Sequence, residues 1–166
     1  MPVLALAANP NASHLDIKVY KVTADGKGDS VGTVRIQDNE EGALFKPDLK
    51  GLEPGLHGFH VHENASCDPA KKDGKLTAAG AAGGHFNPDK GKHNGPFEKG
   101  HAGDVPALYV NNDGEATTPV LAPNLKFKDL TNRALIIHEG GDNYADSPKP
   151  LGGGGARVAC GVITDD

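Results

Sequence analysis

Residues 56–63 read Leu-His-Gly-Phe-His-Val-His-Glu, and this run limits the fold more than any other stretch of the chain. His60 and His62 are two apart, with Phe59 and Val61 interleaved. In an extended strand, residues i and i+2 share a face. A strand here turns Phe59 and Val61, together with His57, towards a core, and sets two imidazoles side by side on its outer face. Paired imidazoles on a strand are a good start for a transition-metal site. Two surface histidines would give the same short pattern, so the rest of the chain has to decide.

Much of the chain alternates in the same way. Leu15, Ile17 and Val19 fall on one face of a strand over 14–22, and Gly32, Val34 and Ile36 mark a second. A short third strand covers 44–46 and is stopped by Pro47. After the His60 strand, alternation resumes at 107–110, continues weakly over 115–121, and returns at 133–138, with Ala134, Ile136 and His138 on one face. The last strand is 157–163, and 125–131 reads as loop or turn. With 23 Gly, 12 Pro and no convincing helix, about eight short strands imply an all-β antiparallel sandwich or barrel.

At 166 residues the chain is one domain, set here at 14–166. Residues 1–13 are expected to be an N-terminal tail. Within it, Ala5-Leu6-Ala7 fits the small-residue signature of a cleaved export signal, although a basic segment and a full apolar run are missing. A net charge of −5 argues against nucleic acid or an anionic membrane as the main partner. No apolar run approaches the ~20 residues needed to span a bilayer. Cys67 and Cys160 can form one disulfide or remain two free thiols.

From Glu63 to Pro106 the alternation disappears. A structureless loop of that length is expected only where it is functional and pinned. This one contains Cys67, His85, His93, His101 and Asp104. The three histidines are eight residues apart, each beside glycine or close to proline, and Asp104 follows His101 by three. Neutral imidazole suits copper and zinc, and a carboxylate among histidines suits zinc. With His60, His62 and His138 at strand ends, six histidines and a carboxylate point to bound metal.

These stretches resemble copper/zinc superoxide dismutases. The matching motifs are Gly58-Phe-His-Val-His-Glu63, Gly83-Gly-His-Phe-Asn-Pro88, Lys92-His-Asn-Gly-Pro96, Gly100-His-Ala-Gly-Asp-Val-Pro106 and Ile137-His-Glu139. The last is Gly152-Gly-Gly-Gly-Ala-Arg-Val-Ala-Cys-Gly-Val-Ile163. The glycine quartet and His-Glu-Gly-Gly-Asp-Asn are similar to the bacterial, exported branch.

The resemblance implies an eight-stranded Greek-key barrel with two long functional loops, one copper and one zinc per subunit, and dismutation of superoxide anion to dioxygen and hydrogen peroxide. It makes His60, His62, His85 and His138 the copper ligands, and His85, His93, His101 and Asp104 the zinc ligands, with His85 bridging and able to carry a proton. It makes Asp142, otherwise a turn aspartate, the carboxylate joining a copper histidine to a zinc histidine. It makes Arg157, otherwise a strand-end surface residue, the active-site arginine, and it pairs Cys67 with Cys160. The disulfide implies a periplasmic or other extracytoplasmic location. Monomer and homodimer both remain open.

Two further expectations come from the residues themselves. His57 points away from the pair and should hydrogen-bond backbone. Lys71, Lys72 and Lys75 are expected to steer the anion, because the 139–156 loop sets Glu139, Asp142 and Asp146 against one lysine, Lys149. Two rival functions are weaker. A copper-buffering protein on the same fold would favour Cys and Met ligands, yet the only Met is Met1 and both cysteines read as structural. A nucleotide binder using 152–155 would need Gly-Lys-Ser/Thr and a following helix.

Overall fold

The computed structural model describes residues 13–164; the tail and its export-signal remnant lie outside the described residues, apart from Ser13. Ten strands follow in chain order: β1 (His14–Thr23), β2 (Gly26–Asn39), β3 (Gly42–Leu49), β4 (Gly55–His62), β5 (Ala70–Lys72), β6 (Lys75–Thr77), β7 (Asp104–Val110), β8 (Val120–Ala122), β9 (Arg133–His138) and β10 (Arg157–Ile163). Eight form one antiparallel sheet in the order β7-β4-β9-β10-β1-β2-β3-β8. The edge strands β7 and β8 approach each other, so the sheet is a nearly closed barrel.

Alternation fills the interior. Ile17 and Val19, Val34 and Ile36, Phe45, Phe59 and Val61, and Leu135 and Ile137 are all buried in one cluster. Phe45 meets Phe59 edge to face at 5.6 Å between ring centres, the geometry an aromatic quadrupole favours. Truncating Phe59 to alanine would cost about 3–5 kcal/mol.

β9 is buried along most of its length because its other face also packs. Ala134 and Ile136 join Val22, Ala79, Ala82 and the Cys67–Cys160 disulfide in a second, smaller cluster. That cluster anchors the beginning of the long loop to the barrel wall.

The sequence expectations fail in four places. The weak strand expected over 115–121 shrinks to β8 at Val120–Ala122, with Ala116 making only an isolated bridge to Leu49. β3 runs through Pro47, which pairs with Val34. Leu49 donates its N–H to Ala116, so the nitrogen two residues earlier also points to that side. There β8 pairs only with Ala43–Phe45, so no carbonyl needs the donor that proline lacks. The long loop is also not structureless. β5 and β6 form a hairpin whose turn residues Asp73 and Gly74 both have positive φ, 52° and 80°, the turn that matches strand twist. Finally, β7 begins at Asp104, three residues before the expected strand, which gives that carboxylate a fixed backbone.

Candidate metal centre

Three histidines of the centre belong to the barrel wall. His60 and His62 leave β4 on the face opposite Phe59 and Val61, and His138 ends the neighbouring β9. The loops cover all three, so they are buried, yet they lie outside the hydrophobic interior. His57 stays on the backbone as expected: its ring nitrogens lie 2.7 and 2.6 Å from the His138 and Glu53 carbonyl oxygens.

The long loop brings in the other donors and is stitched to β4. Val61 donates its N–H to the Gly103 carbonyl and accepts from Phe86, and Gly103 donates to Phe86. His62 and His85 form an isolated antiparallel bridge. His85 and the His101–Asp104 segment therefore meet at one edge of the β4 end, the edge away from β9.

Each wall imidazole has its outer nitrogen engaged. His60 Nε2 lies 2.7 Å from Asp142 Oδ2, His62 Nδ1 2.9 Å from the Gly83 carbonyl and His138 Nδ1 3.2 Å from the Gly155 carbonyl. Donation to these acceptors leaves lone pairs on His60 Nδ1, His62 Nε2 and His138 Nε2. Those three atoms and His85 Nε2 are buried without a hydrogen-bond partner. Four orphaned acceptors would each cost about 1–3 kcal/mol in an ordinary interior. Here the four residues' ligand atoms all lie within 4.8 Å of one another, and a cation would satisfy them together.

A second group begins at the other nitrogen of the same ring. His85 Nδ1 is 3.1 Å from His101 Nδ1 and 3.1 Å from Asp104 Oδ1. His93 Nδ1 is 2.9 Å from Asp104 Oδ2, and His101 Nδ1 is 3.5 Å from Asp104 Oδ1. A tetrahedral ion with ligands at about 2.0–2.1 Å has donor–donor edges of about 3.3 Å. Three imidazoles and a carboxylate at these spacings fit zinc, and four imidazoles suit copper.

Asp142 ties the two groups together. Its Oδ2 accepts from His60, its Oδ1 lies 2.7 Å from His93 Nε2, and its side chain is fully enclosed. Sequence reasoning alone had no signal for this role, because the residue looks like any aspartate in a glycine-rich turn.

Burial and electrostatics divide the imidazoles. Burial first, with neighbouring imidazoles and Arg157 adding, holds His62 well below its ordinary range. Burial likewise takes His85 to about 4, although Asp104 pulls the other way, and His138 to about 3. These rings are neutral at pH 7 and ready to coordinate. His93 is also opposed by burial, but Asp104 and Asp142 raise it to about 9. Both carboxylates lie far below the usual range, since the facing imidazoles outweigh their burial.

The first group opens to solvent through a cavity of about 640 Å³. Arg157 lines it and is held in place: Nη1 donates to Ala79 O at 2.8 Å and Nη2 to Gly83 O at 2.6 Å. Burial lowers its pKa from the ordinary value. Lys71 and Lys72 line the same mouth, while Lys75 pairs opposite Lys72 but is not among the lining residues. Lys149 lines it too, which a count of loop charges could not reveal. The acidic residues of that loop face elsewhere. Asp142 binds the two histidines, Asp146 accepts from the His93 and Leu151 backbone, and Glu139 lines a separate cavity beside His57. Among the described residues lining the mouth, four are cationic and none is acidic.

Comparison with known proteins agrees with this chemistry. A sequence model of the family described as copper/zinc superoxide dismutase (SODC) matches residues 30–163. A protein named superoxide dismutase [Cu-Zn] 2 from Salmonella typhimurium is 56% identical over 165 residues, covering 98% of this chain and 95% of that protein. The structure of Cu/Zn superoxide dismutase from Brucella abortus superposes with a TM-score of 0.88 at 50% identity, covering 91% of this chain and 99% of that one. The solution structure of the monomeric copper, zinc superoxide dismutase from Salmonella enterica gives 0.82 at 56% identity, covering 92% of this chain and 100% of that one. With most of its length matched by the family model and a relative above half identity across nearly all of it, the chain belongs to the copper/zinc superoxide dismutase family.

Proposed function

We propose that His60, His62, His85 and His138 hold copper, and that His85, His93, His101 and Asp104 hold zinc, in an enzyme converting two superoxide anions and two protons to dioxygen and hydrogen peroxide. The observation that carries the assignment is the convergence of four buried, unpartnered imidazole nitrogens on one point, one of them belonging to a ring whose other nitrogen joins a second donor set. Copper, when bound, supplies reversible one-electron transfer, and zinc supplies none.

The protein's own groups supply the rest. Arg157 has two of its five N–H bonds committed to loop carbonyls, which hold its cationic guanidinium in the lining of the mouth that an anion would enter. His85 Nε2 is the atom at which a proton can be held close to that anion, while Nδ1 keeps the ring anchored among His101, Asp104 and His93. Asp142 fixes the tautomers of His60 and His93, as a carboxylate behind a ligating imidazole does. Lys71, Lys72 and Lys149 give a net-negative protein a positive entrance for superoxide.

A location in the periplasm is supported by the Cys67–Cys160 disulfide and by the bacterial source of the relatives. The homodimer reading rests on the family alone, and the Salmonella enterica relative is described as monomeric. Sedimentation of the loaded protein decides between the two. The function itself is tested by metal analysis, copper EPR and superoxide decay on one sample. One copper and one zinc per chain with fast decay supports it, and a loaded protein without activity overturns it.

A further inference from the structure

Tyr144 touches three separate parts of the metal centre. Its backbone N–H donates to Asp142 Oδ1 at 2.8 Å. Its ring lies directly against Gly95, where an added Cβ would come 2.6 Å from the tyrosine Cβ and 2.7 Å from the first ring carbon. Gly95 belongs to the loop between His93 and His101. The tyrosine hydroxyl accepts the Ala107 N–H at 3.0 Å, and Ala107 lies on β7, the strand that begins with Asp104.

The Ala107 contact has a structural cause. β7 and β4 are out of step between His57–Leu108 and Phe59–Val105, so Pro106 and Ala107 together oppose Gly58. A bulge of this kind leaves a backbone group unpaired, and among the described residues β7 has no hydrogen-bonded strand on its other side, although β8 lies near it. The tyrosine hydroxyl fills that place. Tyr144 itself has φ 59°, a left-handed conformation unusual for an aromatic residue and kept only where contacts hold it.

We propose that Tyr144 is a positioning residue for Asp142. It braces the carboxylate against the strand bearing Asp104 and the loop bearing His93, and so sets the reach of Asp142 between His60 and His93. The inference rests on the ligand assignment above. It predicts that the tyrosine hydroxyl governs how firmly zinc is kept, although it touches no ligand.

The test is Tyr144→Phe in the fully loaded protein, a change that keeps the ring against Gly95 and removes one hydrogen bond. In the diamagnetic Cu(I),Zn form, the His60 and His93 Nε2–H protons report on Asp142, and the His62 Nδ1–H, on the Gly83 carbonyl, is an internal control. The expected result is zinc loss to a chelator about fivefold faster, the worth of one neutral hydrogen bond. The His60 and His93 protons should exchange faster with solvent while the His62 proton is unchanged. Wild-type zinc release and exchange would overturn the proposal. So would equal acceleration of all three protons, which marks general loosening. The wild-type metal content is measured first: a wild-type chain that retains no zinc refutes the ligand assignment itself, whereas zinc-replete wild type with an unaltered variant refutes only the role of Tyr144.

Discussion

Asp142→Asn changes one atom at the point where the two donor groups meet. The carboxylate accepts from two imidazoles, at 2.7 Å each, and from the Tyr144 N–H at 2.8 Å. An amide of the same shape offers only one acceptor oxygen. One imidazole N–H must then face an amide N–H at close range in a fully enclosed site. The ring relieves this by moving its proton to Nδ1, the atom that His60 and His93 each turn towards the other donors. That metal loses a ligand, and the other imidazole exchanges a charge-assisted bond for a neutral one. Loss of such a partner typically costs 10–100-fold in metal affinity, or about 1.4–2.7 kcal/mol. Competitive chelator titration of each metal measures the loss, and nitrogen-15 NMR of the imidazoles reads the tautomers. Wild-type affinity for both metals with both rings still protonated at Nε2 would refute the reasoning.

The metal-free protein should be most stable near pH 6.5. Below that value the unfolded chain protonates imidazoles that stay neutral in the fold, His62, His85 (about 4) and His138 (about 3), so stability is full above 6.5 and falls with pH, by about 1.4 kcal/mol per unit per histidine. His93, raised to about 9, acts in the opposite sense: its contribution is full below 6.5 and is lost as pH climbs to 9. Urea midpoints across pH 4–9 test this, and stability rising from pH 7 to 9 would contradict it. Replacing Cys67 and Cys160 together by serine opens a link spanning 93 positions, for which the chain-entropy model gives about 4–5 kcal/mol. Thermal unfolding reads the cost, and an unchanged midpoint would show that the reduced chain is already constrained. Copper-loaded Lys72→Glu should turn over more slowly at low salt and respond less steeply to added salt; an unchanged salt profile removes that lysine from the entrance field.

Two kinds of information were legible in the sequence to different degrees. The period-two pattern around Phe59 and Val61 placed His60 and His62 on one face, because sheet geometry leaves no other choice. The same logic recovered β9 and β10 from end to end. Pro47 misled because its effect depends on which neighbour needs its N–H, a property of the sheet rather than of the strand. The Lys71–Leu76 hairpin was missed even though Asp73-Gly74 is a strong turn signal, since three-residue strands carry almost no alternation. The direction of loop side chains was the least accessible. Lys149 and Asp146 lie three apart in one loop, yet one faces the mouth and the other binds backbone, and only the fold decides which.

The placement of wall donors on an alternating strand restricts how the gene can change length. Deleting His60 would exchange the faces beyond the gap, sending the His62 imidazole into the hydrocarbon interior and Val61 outwards. A single-residue insertion in β9 would do the same to His138 and Ile137. The segment between His85 and His101 has no such parity, and doubling a flexible loop adds only about 0.6 kcal/mol of closure entropy. Insertions and deletions that survive in this lineage should therefore collect between the loop-borne donors, while β4 and β9 keep their residue count.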